Sequence, residues 1–403
     1  MITFEYTAKN NQGGTTKGLV EAETEGSAAK LLLAQGLTPI DINIKQQGSK
    51  LLGRFTNRVS TKDRIIFTRQ LSTLLNAGLP LTQSLHTVAE QADSKQLAVI
   101  LNQVISTVEG GVALSEALAK HPKVFNDVYL ALVAAGETSG TLDVALERIA
   151  DQQEKDADMI SKVRGALVYP IIVTVVIFAV VIFLLTTVVP QIKLLYKDFN
   201  RDLPLLTAMM IAVANVIINY WWLLLVGAIA IGFFINRWAK TKAGTSAFDR
   251  LKMNIPLFGD LYTKLYMARF SRTGQTLVAS GVQMLEMLRI TARAVDNVHV
   301  AAAINRASEK VKGGKALSDS LKDEDVFLAL VPQMLKVGEQ SGSIDKMMGK
   351  SASYYENELD NKIKTISTTI EPILMVFLAV VVGGIVLAIL VPVYNLASSS
   401  LGG

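Results

Sequence analysis

Two pentapeptides carry the residue types that hydrolases use. Gly136-Glu137-Thr138-Ser139-Gly140 sets a carboxylate two positions from a serine hydroxyl, and Gly338-Glu339-Gln340-Ser341-Gly342 repeats the arrangement. The chemistry on offer is acyl transfer, with Glu137 or Glu339 as base and Ser139 or Ser341 as nucleophile. An unassisted serine is a weak nucleophile, because an adjacent base must take its proton. Neither motif contains a histidine or lysine partner. The alternative is structural: a helix ends at Gly136 or Gly338, a Ser-Gly turn follows, and Asp143 or Asp345 lies near the start of the next helix. Turn and interaction surface outweigh catalysis, and no catalytic residue is assigned. Gly313-Gly314-Lys315 lacks the G-x-x-x-x-G-K-[ST] spacing whose amides cradle a phosphate, which argues against ATP hydrolysis by this chain.

Other chemistry-bearing residues are sparse. The absence of cysteine excludes disulfides, thiolate zinc sites, iron–sulfur clusters and cysteine nucleophiles. His86, His121 and His299 are scattered, so no metal site and no cofactor is expected. Forty Lys+Arg against 35 Asp+Glu leave a net charge of +5, with few aromatic side chains, so direct nucleic-acid binding is not expected. Glu371 is an isolated charge beside Pro372 at the edge of an apolar run. It reads as an interfacial snorkelling carboxylate or, alternatively, as a contact for a partner's positive group or a protonation site. Ala379 with Gly383, and Gly384 with Ala388, form small-xxx-small pairs that let another helix approach closely. That helix is the chain's own first span, a second copy or a substrate protein.

The elements that must position these residues begin with the apolar ones. Half of the 403 residues are apolar and 19% are charged, less than in a typical soluble domain. Residues 171–189 and 373–391 are uncharged runs, each between two prolines, Pro170 and Pro190 or Pro372 and Pro392. At 1.5 Å per residue each is about 28 Å long as a helix, close to the hydrocarbon thickness of a bilayer. A third uncharged stretch, 205–235, is interrupted by Asn215, Asn219 and Tyr220-Trp221-Trp222. Its second part, 220–236, reads as a span with the aromatic cluster at an interface, and its first part as an extension or an interfacial turn of helix. Lys and Arg concentrate before the first span, after the second and before the third, which puts the N-terminus and 237–370 in the cytoplasm and the C-terminus outside. The first residues, ITFEYTAKNNQGG, have no signal-peptide core.

The chain is also a duplication. Phe67-Thr68-Arg69 with Leu74, Gly78 and Leu85 recurs 203 residues later as Phe270-Ser271-Arg272 with Leu277, Gly281 and Leu288. EGGVALSEAL at 109 returns as KGGKALSDSL at 312, and after a one-residue deletion GETSGTLD returns as GEQSGSID. Apolar residues fall at helical spacing, with Gly78 and Gly281 suited to left-handed caps and Ser115 or Ser318 able to cap the helix after each Gly-Gly break. The expected fold is an all-α membrane protein: two repeated helical bundles, three transmembrane helices and a small N-terminal α+β module. The segments are 1–48 (α+β module), 60–168 (first bundle), 169–190 (first span), 191–219 (external loop and interfacial helix) and 220–236 (second span). They continue with 237–370 (second bundle, core from 263), 371–392 (third span) and 393–403 (external tail). Within the module, ITFEYTAK, TTKGLVEA and LTPIDINI read as strands and 25–35 as a helix, with 10–14 as a turn and 46–54 as a linker.

Taken together, the repeated FTRQLSTLLNAGLPL-type helix, the twin G-E-x-S-G turns and the spans running YP…VVP and EP…LVP resemble the inner-membrane platform family. This is the F protein of type II secretion systems and the core protein of type IV pilus machines. The resemblance covers essentially the whole chain. It implies six helices per cytoplasmic bundle, and a non-enzymatic assembly platform in a bacterial inner membrane. Such a platform couples a hexameric cytoplasmic ATPase to extraction and polymerisation of pilin or pseudopilin subunits, among other inner-membrane components of the machine. Gly136, Glu137, Ser139, Gly140 and their twins Gly338, Glu339, Ser341, Gly342 are family landmarks, read with Glu371 as partner-binding residues. Self-association is expected from the small-residue face at Ala379, Gly383, Gly384 and Ala388. One departure is Gly274, which stands where the first copy has Leu71 and weakens helix propensity there. The competing function, a small repeat-built transporter, requires ionisable residues or broken helices near mid-membrane, which the first and third spans lack.

Overall fold

The computed structural model describes residues 2–9, 15–22, 25–34, 36–44, 59–198, 205–256 and 258–400. The turn expected at 10–14 and the linker at 46–54 lie outside them. Contacts divide the chain into Met1–Val59 and Ser60–Gly403.

In the first unit, strands β1 (Ile2–Lys9), β2 (Thr15–Ala22) and β3 (Thr38–Ile44) form an antiparallel sheet in the order β2-β1-β3. Phe4 pairs with Val20 on one side and Ile44 on the other. Gly18 lies opposite Tyr6, where a Cβ would come 2.7 Å from the phenolic oxygen, so the missing side chain makes room for the ring. Helix α1 (Glu25–Ala34) rests on β2 and β3 and buries Leu32 completely.

The second unit holds both copies of the repeat. The first bundle is α2 (Thr61–Asn76), α3 (Leu81–Glu90), α4 (Lys95–Glu109), α5 (Leu114–Ala119), α6 (Asp127–Ser139) and the start of α7 (Leu142–Asp198). After α8 (Leu205–Ala239) and α9 (Lys242–Asn254) comes the second bundle. It comprises α10 (Gly259–Ala279), α11 (Met284–Ala294), α12 (Val298–Lys312), α13 (Leu317–Lys322), α14 (Leu330–Ser341) and the start of α15 (Ile344–Ser400). Each bundle thus has the expected six helices among the described residues.

Local chemistry explains the boundaries. Ser60 and Asp63 form a reciprocal capping box on α2, with N···O distances of 3.1 and 3.0 Å. Gly78 and Gly281 take φ of 84° and 81°, the left-handed region that a side chain disfavours, and so turn the chain after α2 and α10. Equivalent rings close the two cores: Phe67 meets Phe125 with centroids 6.0 Å apart, and Phe270 meets Phe327 at 5.0 Å. The exchange at Gly274 is one of volume. In the first bundle Leu71 and Leu146 are both fully buried; in the second Met348 fills the space, and a Cβ on Gly274 would lie 2.1 Å from its Cε. The longer, flexible methionine compensates for the absent leucine.

The helices that carry the first and third spans continue past the prolines that flank the uncharged runs. Helix α7 has 57 residues and contains Pro170 and Pro190 in its interior. Helix α15, also 57 residues, runs through Pro372 and Pro392 in the same way. A proline loses one backbone donor and one helical hydrogen bond, a defect that membrane helices accommodate by local adjustment. Three helices are long and apolar enough to cross a membrane, their apolar windows lying in α7, α8 and α15. Their side chains face outward, with Phe183 61%, Phe234 70% and Val380 69% exposed, which fits contact with lipid rather than a soluble core. Helix α8 is two helical stretches joined by a kink at Tyr220 (φ −120°, ψ 18°), the residue at which the second span was expected to begin. Ile211 and Ala214 from the first stretch pack on Leu185 of α7, so it lies alongside the first span.

Candidate functional site

Each G-E-x-S-G motif is a joint that holds three helices. Glu137 comes from the last turn of α6 and accepts the backbone N–H groups of Leu114 and Ser115, the latter at 3.0 Å, and the Ser115 hydroxyl. Glu339 does the same in the second bundle, accepting from Leu317 N at 2.6 Å, Ser318 N at 3.3 Å and the Ser318 hydroxyl. The first amides of a helix have no partner within it and carry a partial positive charge, so a carboxylate there satisfies both hydrogen bonding and the dipole. The expected caps, Ser115 and Ser318, therefore act differently. The residues at the N-cap position, Ala113 and Ala316, offer no side-chain acceptor, and the serines donate to the glutamate that caps from a distance.

The helix ends are also displaced from the expected Gly136 and Gly338. Helix α6 continues to Ser139 and α14 to Ser341, and the chain turns at Gly140 (φ 72°) and Gly342 (φ 65°). Thr141 N donates to Gly136 O at 2.9 Å and Gly140 N to Glu137 O at 3.3 Å, the paired bonds of a left-handed helix terminus. Gly136 and Gly338 have another role. A Cβ on Gly136 would lie 2.5 Å from the Ala145 Cβ, and one on Gly338 would lie 2.8 Å from the Ile344 Cα. Both glycines let the two antiparallel helices meet almost backbone to backbone.

This arrangement offers no activated nucleophile. Ser139 Oγ donates to Ala135 O at 2.8 Å and shares a 2.7 Å contact with Thr141, and Ser341 donates to Val337 O at 2.7 Å. Both hydroxyls belong to helix termini, and both glutamates are committed to amides. Among the described residues no three His, Asp or Glu groups gather to hold a metal ion.

A second constellation, which sequence reasoning did not single out, joins the two bundles. Arg148 on α7 donates to Ala279 O at 2.7 Å and to the Ser280 hydroxyl at 3.0 Å, at the end of α10. Gln152 accepts from Thr276 at 3.1 Å, Arg293 on α11 meets Asp127 at 2.7 Å, and Lys162 bridges to Asp360 at 2.9 Å. Between them lies a cavity lined by Arg64, Tyr129, Gln152, Asp156, Arg269 and Thr273, among others. Asp156 Oδ1 is shielded from solvent there without a hydrogen-bond donor. Burial pushes the Asp156 carboxyl above the usual carboxylate range, against the pull of Arg269 and Arg272. Burial likewise lowers the Arg64 guanidinium and raises the Tyr129 phenol. The repeat spacing signals contacts within each bundle instead: Arg69 with Glu154, and Arg272 with Glu356, recur at it, and both pairs form, at 2.7 Å.

Glu371 is exposed on α15, far from the two turns in sequence and outside the bundle contact. Ala379 and Gly384 are exposed and Gly383 is half-buried, and a Cβ on either glycine would meet nothing within 4 Å. Ala388 lies on the same helix, α15.

The family described as type II secretion system (T2SS), protein F, matches residues 67–190 and again 270–392. The N-terminal domain of the same family matches residues 1–43. The type IV pilus assembly protein PilC of Thermus thermophilus is 39% identical over 401 residues, covering 98% of each chain. PilC of Myxococcus xanthus is 36% identical over 400 residues, 98% of this chain and 95% of its own. The type II secretion system protein F of Vibrio cholerae is 31% identical over 401 residues, again 98% of both.

Proposed function

The chain belongs to the type II secretion system protein F family, and from that premise we propose that it is the inner-membrane assembly platform of a type IV pilus or type II secretion machine. It couples a hexameric cytoplasmic ATPase to the extraction and polymerisation of pilin or pseudopilin subunits, without chemistry of its own. The N-terminus and both bundles face the cytoplasm and the C-terminus lies outside. The observation that carries this reading is the continuity of α7 and α15, each of which begins inside a bundle and runs 57 residues through a span. A displacement imposed on a bundle reaches the membrane through one continuous helix, about 85 Å long with its span included.

Within this reading the partner-binding residues divide into two kinds. Glu137 and Glu339 act from inside, holding α5 and α13 so that the tips at Ser139-Gly140 and Ser341-Gly342 keep one shape for the ATPase. Glu371 and the open face at Gly383 and Gly384 receive the transmembrane helix of a pilin-like subunit.

The test is photo-cross-linking in cells that assemble the machine, from probes at Thr138, Gln340 and Glu371, with mass spectrometry of the adducts. Capture of the assembly ATPase at a turn and of a pilin-like protein at the span is the expected result. Adducts to lipid and to the chain itself, and nothing else, at all three positions would overturn the reading.

A further inference from the structure

The contact between the two bundles is one-sided. Helices α7 and α15 pack on each other, and beside them α10 and α11 of the second bundle pack on α6 and α7 of the first; among the described residues the counterparts α2 and α3 make no comparable packing on α14 or α15. A duplicated unit joined in this way uses one face of its first copy and the opposite face of its second. The unused faces are complementary to each other in the same sense as the used ones.

The unused faces are formed and exposed. In the first bundle a groove lined by Glu116, Asp127 and Ala131 is closed on one side by Arg289, Ile290 and Arg293 of α11. The second bundle has the same groove at the counterpart positions, lined by Asp319, Lys322, Ala329, Gln333 and Lys336, with walls from that bundle alone. The helix that would cover it by analogy is α3, whose Gln83, His86 and Glu90 are exposed.

The charges have changed sign together. In the occupied groove Arg293 reaches Asp127 at 2.7 Å beside Glu116, while Arg289 pairs with Glu286 of its own helix. In the open groove the cations Lys322 and Lys336 outnumber Asp319, and α3 brings Glu90. Complementary charge is kept and its direction reversed, which also disfavours α3 in the groove of its own copy. One further contact transposes. Arg148 donates to Ala279 O at the end of α10, and its counterpart Lys350 is exposed, while α2 ends at the counterpart carbonyl of Asn76. The Lys162–Asp360 bridge does not transpose in the same way, because Asp158, the counterpart of Asp360, already pairs with Lys162 at 2.9 Å.

We propose that a second copy of this chain docks α2 and α3 of its first bundle into the α13–α14 groove and against α15 of the second bundle, repeating between chains the contact made within one. The interface is heterologous, so successive copies close a ring when the rotation permits. Both chains sit in one bilayer, which sets the rotation axis along the membrane normal. The proposal depends on the bundle contact alone and stands apart from the platform reading.

The chain has no cysteine, so introduced pairs report cleanly. Two differently tagged full-length copies are expressed together in membranes, one carrying Glu90→Cys and the other Ala329→Cys, the positions equivalent to Arg293 and Asp127. Both are exposed, so the fold is left intact. An Asp127→Cys, Arg293→Cys chain serves as the intrachain control. On mild oxidation the expected product carries both tags, while Glu90→Cys alone gives no dimer. Adding Lys322→Glu and Lys336→Glu to the Ala329→Cys copy lowers the yield about tenfold. A control that cross-links beside a pair that stays monomeric overturns the proposal. So does an equally strong dimer from Glu90→Cys alone, which would mean a two-fold meeting, or an Ala329→Cys adduct with a different protein. Failure of the control itself removes the contact being copied, and the proposal with it.

Discussion

The two bundles share a framework and differ in their surroundings. Glu137 and Glu339 cap the same short helix, Arg69 and Arg272 clamp the same glutamate, and Phe67 and Phe270 meet the same partner ring. Yet the Arg69 side chain is 34% exposed and that of Arg272 only 9%, because α10 faces the first bundle and α2 faces solvent. One interaction therefore sits in two dielectric environments within one chain. The comparison separates what the fold requires in any setting from what a neighbour makes of it.

The largest expected effect tests whether the cores are interchangeable. Leu71→Gly would copy the second bundle's residue into the first, leave a cavity against Leu146 and add glycine's helix cost, about 4 kcal/mol in all. Adding Leu146→Met should recover part of the loss, because methionine does that work at position 348. Urea unfolding of the detergent-solubilised chain measures both; no recovery would mean the two cores are filled by different means. Next comes the arginine clamp. Arg272→Ala strands a largely buried Glu356 and should cost about 3 kcal/mol, whereas Arg69→Ala removes an exposed pair and should cost less than about 1 kcal/mol. Equal losses would show that the difference in burial is immaterial.

The glutamate caps should behave alike. Glu137→Ala and Glu339→Ala each abandon two helix amides and a serine hydroxyl, costing about 2 kcal/mol, and the Gln variants about half as much. Thermal unfolding followed by circular dichroism gives both values. A clear gap between the copies would mean that one turn is supported from elsewhere.

The framework was legible because duplication repeats it, and Gly78 with Gly281 or Gly136 with Gly338 stand out once the copies are aligned. The glutamate caps were not, since capping rules look three residues along the chain and Glu137 reaches Leu114 across 23. Two glycines within five positions also left the helix end ambiguous: the first serves close packing and the second the left-handed turn. Pro170 and Pro190 flank the uncharged run without ending its helix, as proline marks helix ends in water more strictly than in lipid. The bundle contact has no local pattern at all. Arg148 and Ala279 lie 131 residues apart, and only the folded chain brings a cation to that helix end.

The smallest effect is also the sharpest, because one position should respond with opposite signs in the two copies. Asp156 is held above its ordinary range by burial, with Gln152, Arg269, Arg272 and Glu356 facing it. A carboxyl whose folded pKa is raised favours folding while protonated. That contribution is complete below its unfolded pKa and is lost as pH rises through the folded value. Asp156→Asn should therefore match the parent in acid and exceed it at neutral pH by about 1 kcal/mol, the cost of one unsatisfied buried acceptor. The counterpart, Glu358, instead accepts from Lys264 at 2.9 Å, so Glu358→Gln should lower stability at neutral pH by up to about 1 kcal/mol. Urea midpoints of both variants at acid and neutral pH decide the matter. If both changes destabilise at neutral pH, Asp156 has a partner at the bundle contact, and the two copies are more alike there than their burial implies.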